Sequence, residues 1–173
     1  MESSALLAAI RTYFAGERQE MLIILAATII MTLATASLYW RSRDGFAAGL
    51  ALTVLLAAIL LASTSVSLLR RDAPLRASIE RAAGDRSVAQ LRDEAARIAT
   101  VESRYPNYRY GAVVLAIIAI VLLNLTSRDW LRGVSAGLLL LVVAQVAIDH
   151  YSERRAHTYA GALGAWLART GTE

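Results

Sequence analysis

Both histidines of the chain fall in one short tract, Asp149-His-Tyr-Ser-Glu-Arg-Arg-Ala-His157. On a continuous helix His150, Glu153 and His157 lie within about one face. Two imidazoles and a carboxylate so placed could hold one divalent metal, with water completing the shell. The order His-x2-Glu is the reverse of the Glu-x2-His of carboxylate-bridged di-iron bundles, and the inward glutamates of such sites are missing from the apolar stretches. A polar helix end also needs such residues for solvation and for pairing with Arg154 and Arg155. The expectation is therefore the structural role, with no metal and no cofactor. The chain has no Cys, which removes disulfides, thiolate ligands and Cys nucleophiles. The motifs at Gly45 and Gly133 lack the lysine of a phosphate-binding loop.

The elements that would carry this tract are dominated by four stretches, Met21 to Tyr39, Phe46 to Leu69, Gly111 to Leu125 and Val134 to Ile148, none containing Asp, Glu, Lys, Arg or His. Helices apolar nearly all round belong in hydrocarbon, because a water-soluble bundle needs a polar face on each helix. Hydrophobic residues make up 57% of 173 residues and mean hydropathy is +0.48, leaving room for four spans and little else. The third and fourth stretches reach across only with Tyr110, Thr126, Gly133 and Asp149 at their ends. About twenty mixed residues precede the first stretch and no small-residue cleavage pattern closes it, so it reads as a retained anchor. The expected organisation is one membrane domain over 1–173: an amphipathic segment 1–20, a hairpin 21–69, a helical loop 70–109, a second hairpin 110–151 and a tail 152–173.

All 18 basic residues are Arg. Arg41 and Arg43 lie in the first short turn, Arg128 and Arg132 in the second, and the other fourteen in the N-terminal segment, the central loop and the tail. The positive-inside rule then places both termini and the central loop in the cytoplasm; the use of Arg in place of Lys suggests a GC-rich bacterial genome, and the expected location is the bacterial inner membrane. A pI of about 9.8 is accounted for by arginines beside anionic lipid headgroups; no nucleic-acid partner is expected, since no motif for one is present.

Each half runs amphipathic segment, span, tight turn, span. Both turns contain Ser-Arg-Asp, at residues 42–44 and 127–129, followed by Gly45-x3-Gly49 and Gly133-x3-Gly137. The fold class is thus all-α, a polytopic membrane protein with four transmembrane helices in two parallel repeat-like hairpins and amphipathic cytoplasmic helices. The paired glycines, with Ala144 continuing the second face, suit close helix contact where packing replaces the hydrophobic effect. They are expected to join the second and fourth spans or to form a self-association seam.

Thr28, Thr32, Thr35 and Tyr39 share one side of the first span, and Thr53, Thr64 and Ser67 one side of the second, beside Ser63 and Ser65. A hydroxyl stripe could line a narrow water path. The alternative, which is favoured, is bonding to carbonyls of the same helix or across a helix contact. Asn124 and Gln145 are expected as partners inside the bundle.

In the N-terminal segment Leu6, Leu7, Ile10, Tyr13 and Phe14 share a face suited to the headgroup region or to packing on the bundle. Asp72-Ala-Pro74 reads as a helix start, Gly84-Asp85 as punctuation, and Ser87 with Gln90 as a capping box. The following helix aligns Val88, Leu91, Ala95, Ile98 and Tyr105, a short docking stripe, and spaces Asp93 and Arg97 to pair. Tyr105-Pro-Asn-Tyr-Arg-Tyr110 reads as an interfacial anchor.

Tyr105-Pro-Asn-Tyr-Arg109 together with Asp149-x3-Glu-Arg-Arg-Ala-x2-Tyr159 resembles a pattern in small bacterial four-helix integral membrane proteins. The resemblance covers the second half of the chain and implies no activity. With no ionisable group at depth, the spans offer an enzyme nothing to work with. The expected function is non-catalytic: an oligomeric scaffold or an accessory subunit of a membrane complex, its partners being the lipid bilayer, further copies or other membrane subunits. A small oligomeric channel or passive transporter is the second reading, and a membrane sensor or effector the third.

Overall fold

The computed structural model describes residues 2–170; residues 1 and 171–173 of the expected N-terminal segment and tail lie outside the described residues. The described chain is all α-helix: α1 (Glu2–Ser42), α2 (Gly45–Gly84), α3 (Val88–Glu102), α4 (Tyr105–Leu125) and α5 (Asp129–Thr170). Four helical stretches are long and apolar enough to cross a membrane. At 1.5 Å per residue the 41 residues of α1 extend about 62 Å, roughly twice the hydrocarbon thickness of a bilayer. The three long helices therefore carry an apolar half and a polar half without a break.

The apolar halves expose their side chains: Leu33 is 65% exposed, Leu60 69% and Leu125 81%. In water that surface would be untenable; against lipid it is solvated. Contacts run in a row from α1 to α2, α2 to α5 and α5 to α4, with α1 also meeting α5. The buried core lies in the polar halves. There Leu6, Ile10, Tyr13 and Phe14 of α1 meet Ile79 and Ala83 of α2, Leu91 and Ile98 of α3, and Tyr159, Leu163 and Trp166 of α5. These residues form a four-helix layer packed as in a water-soluble protein.

Several local expectations change in this setting. Residues 2–20 are the first half of α1, with no turn before Met21, and their apolar face is buried in the polar-layer core. Pro74 lies inside α2. Its ring removes one backbone donor, yet Ile79, Ala82 and Ala83 beyond it are buried, and that burial carries the helix past the proline. Ser87 precedes α3 without a side-chain capping bond. Arg97 pairs with Glu94, three residues before it, at 2.7 Å, and not with Asp93; Glu94 is the carboxylate that α5 buries.

The turns between halves are tight. Arg43 adopts φ 53°, which reverses the chain after α1, and its guanidinium lies 4.6 Å from the centre of the Trp40 ring. Asp44 then caps α2, its carboxylate accepting from the Ala47 N–H at 2.8 Å. In the second turn Asp129 sits within the first turn of α5. Its carboxylate faces the positive end of the helix from inside the helix instead of from the cap.

Candidate functional site

Where the apolar halves give way to the polar layer, α1 and α5 bring together a set of charged groups built around Arg155. Its guanidinium donates to Glu17 Oε1 at 3.0 Å and to Glu20 Oε2, while Ser152 donates to Glu20 Oε1 at 2.6 Å. The side chains of Glu17, Glu20 and Arg155 are 15%, 10% and 24% exposed. Gly16 makes the approach possible: a Cβ there would fall 2.5 Å from Arg155 Cδ. The arginine stem thus lies across the glycine to reach both carboxylates. A glycine inside a helix costs about 1 kcal/mol relative to alanine, which the ion pairing offsets.

Burial pushes the Glu17 carboxyl above its ordinary value, against the pull of Arg155. The cause is desolvation, which disfavours the charged form. Two carboxylates share one arginine here, so a proton on Glu17 relieves their repulsion. Nearby, Gln145 donates to Asp149 Oδ1 at 2.8 Å.

A second set lies deeper in the polar layer. Arg97 holds Glu94 with two parallel bonds of 2.7 Å, and the Tyr159 hydroxyl donates to Glu94 Oε1 at 3.2 Å. Glu94 is 3% exposed, and the bidentate arginine is what makes a buried carboxylate tolerable. Tyr13 stacks on Tyr159 with centroids 4.5 Å apart. Desolvation pushes the Tyr13 hydroxyl up to about 12, and Tyr159 is raised further for the same reason with the Glu94 charge adding to it. Both hydroxyls stay protonated at physiological pH, Tyr159 donating to Glu94. Helices α1, α3 and α5 are thereby cross-linked by hydrogen bonds and stacking within one core.

His150, Glu153 and His157 line one recess on α5, together with Glu102 and Arg154. Glu153 pairs with Arg109 of α4, and His157 Nδ1 lies 3.3 Å from Glu102 Oε1 of α3. His150 packs against the Tyr151 ring, 5.5 Å between centroids. Among the described residues no group of three or more His, Asp or Glu is placed to hold a metal ion. The pairing of Glu153 and His157 ties α5 to α4 and α3.

The glycines fall at one helix contact. A Cβ on Gly49 would enter the Trp130 carbonyl and come 3.0 Å from Val134 N; one on Gly133 would enter the Phe46 carbonyl and come 2.8 Å from Leu50 N. Gly137 faces Thr53, Gly45 faces Trp130, and Ala144 lines the groove between α1, α2 and α5. Since contacts advance in the same direction on both helices, α2 and α5 run parallel.

Hydroxyls of both stripes turn to their own helices. Thr28 donates to Leu25 O, Thr35 to Met31 O, Thr53 to Gly49 O, Thr64 to Leu60 O and Ser67 to Ser63 O, all within 2.8–2.9 Å. Thr32 is half-buried and offers its carbonyl to Thr35 at 3.2 Å. Asn124 likewise donates to Ile120 O. Each of these donors is spent on backbone, leaving the stripes weakly polar.

The groups around Arg155 and Glu94 escape a reading of sequence alone because each joins residues from different helices. One signal was present: Glu17 and Glu20 stand at the mouth of an apolar stretch, where an acidic residue requires a partner. Comparison with family models, curated proteins and solved structures found no match.

Proposed function

We propose that this protein is a non-catalytic scaffold or accessory subunit of a bacterial inner membrane, acting through helix association, with its polar helical layer in the cytoplasm. One observation supports it most. The apolar halves form an open row in which α4 meets only α5 among the major contacts, and Val113, Val114, Ile117, Ile118 and Val121 of α4 stay exposed. A face of that kind is suited to further helices, of a second copy or of another subunit. The cytoplasmic placement rests on the fourteen arginines that lie away from the two short turns. The two hairpins, meeting at the parallel α2–α5 glycine contact, are read as repeats about an axis along the membrane normal.

The channel reading is weakened by the hydroxyls of Thr28, Thr35, Thr53, Thr64 and Ser67, which bond to their own helices. The sensor reading draws on a different observation: α1, α2 and α5 pass unbroken from the apolar half into the polar core, so a shift in one layer is carried into the other. The test is reconstitution. A scaffold gives a defined oligomer or stoichiometric copurification with membrane subunits and no ion leak from liposomes; a leak that depends on the first or second apolar stretch overturns it.

A further inference from the structure

Between α1, α2 and α5 runs an apolar groove of about 400 Å³, lined among others by Ile24, Met31, Val54, Leu141, Ala144 and Ile148. Thr28 is its one hydroxyl, and that is bonded to Leu25 O at 2.8 Å. Along α5 the groove extends from Gly137 to Ile148, about 17 Å at 1.5 Å per residue, close to the ~15 Å of hydrocarbon in one leaflet. Gly137 stands about 12 Å below the start of α5, so the groove occupies the half of the apolar layer nearer the polar core.

The same faces of α1 and α5 continue past the Arg155 cluster into a recess where Ala8, Ala9 and Tyr13 stand beside Thr12, Arg154 and Thr158. Tyr151 is 64% exposed. Arg154 is exposed too, and no carboxylate among the described residues pairs with it, whereas Arg97, Arg109 and Arg155 are all engaged. Arg154 lies six residues beyond Ile148, about 9 Å along the axis, which a side chain extended toward the bilayer spans.

We propose that this groove holds one acyl chain of an anionic phospholipid from the leaflet adjoining the polar layer, its phosphate held by Arg154. The groove has the length of a leaflet, an apolar lining and an unpaired cation beyond its polar end, the sequence of environments that a phospholipid presents. The proposal rests on the membrane-spanning part of the function proposed above and is independent of the scaffold role.

The test uses the full chain purified in mild detergent, supplied with either phosphatidylglycerol or phosphatidylcholine and washed extensively. Phospholipid per chain is then measured, with oligomeric state followed by light scattering. The expected result is about one phosphatidylglycerol retained per chain in preference to phosphatidylcholine. Arg154→Gln weakens retention roughly fivefold, the factor for one basic side chain at an anionic headgroup; Arg154→Lys restores it. Filling the groove by Ala147→Trp removes the lipid and leaves the oligomer unchanged, and Ala147→Leu, a smaller filling, reduces retention in the same direction. Equal retention of both lipids, no effect of Arg154→Gln, or a groove variant that dissociates the oligomer while lipid stays bound would each overturn the proposal. Glycerol phosphate, which has no chains, is expected not to displace the lipid; displacement by it would also overturn the acyl-chain site. Liposome leak and copurification are read separately, so the scaffold reading stands or falls on its own.

Discussion

Replacing Gly133 by alanine tests whether the α2–α5 contact is held by backbone approach. The new methyl group would come 2.8 Å from both Leu50 N and Phe46 C, where ordinary contact begins near 3.4 Å. Both neighbours are backbone, so no side-chain rotation relieves the overlap and the helices must separate. An opening on the order of 1 Å forfeits roughly a quarter to a half of the dispersion attraction across the contact. In an apolar solvent little hydrophobic driving force opposes the separation, and the expected cost is about 1–3 kcal/mol. Gly49→Ala, which meets the Trp130 carbonyl from the other helix, should cost a similar amount. Once either methyl has parted the helices the other finds room, so the double variant should lose less than the sum of the two. Gly111, Gly161 and Gly164 have nothing within 4 Å of a built Cβ. Alanine at any of these should be neutral or stabilise by about 0.5–1 kcal/mol. Unfolding in mixed micelles by graded addition of a denaturing detergent, followed by far-ultraviolet circular dichroism, gives the comparison. If Gly133→Ala and Gly49→Ala behave like Gly164→Ala, the close backbone contact is refuted.

Other predictions concern the polar groups. Arg155→Met leaves Glu17 and Glu20 together without their cation and should cost about 3 kcal/mol at neutral pH by thermal unfolding; a loss under 1 kcal/mol would show that the cluster is solvated. Because the Glu17 carboxyl is raised on folding, its contribution is full below its unfolded value near 4.5 and is lost as pH rises through the higher folded value. Glu17→Gln should therefore flatten a decline in stability above pH 4.5, and an unchanged pH profile would contradict the assignment. Tyr159→Phe removes one of three bonds to the buried Glu94 carboxylate and should lower stability by about 1–2 kcal/mol, with no loss meaning that water replaces the hydroxyl. Arg86 adopts φ 54°, a left-handed conformation that a side chain disfavours by roughly 1–2 kcal/mol. Arg86→Gly should raise the unfolding midpoint, and a lower midpoint would argue against that turn.

The apolar stretches were readable because the absence of ions over fifteen or more residues is a property of the chain alone. The glycine pairs were readable too, since equal spacing in two places marks a face before its partner is known. What escaped detection depends on neighbours distant in sequence. Asp72-Ala-Pro74 carries a helix-start signal, but packing of Ile79, Ala82 and Ala83 continues α2 through it; tertiary burial outweighs the local cost of proline. Asp93 and Glu94 both have spacing suited to Arg97. Tyr159, 65 residues away, stands beside Glu94 and decides between them. Gly16 carried no obvious meaning until Arg155 was seen lying across it.

The absence of cysteine permits the most direct test of the membrane architecture. Single cysteines at Ser42 and Ser127 in the two short turns, and at Arg86 and Thr158 in the polar layer, are exposed to a membrane-impermeant maleimide in intact cells. The two turn cysteines are expected to label in intact cells and the other two only after permeabilisation. Labelling of the Arg86 or Thr158 positions in intact cells, or recovery of the chain in the soluble fraction, would contradict it.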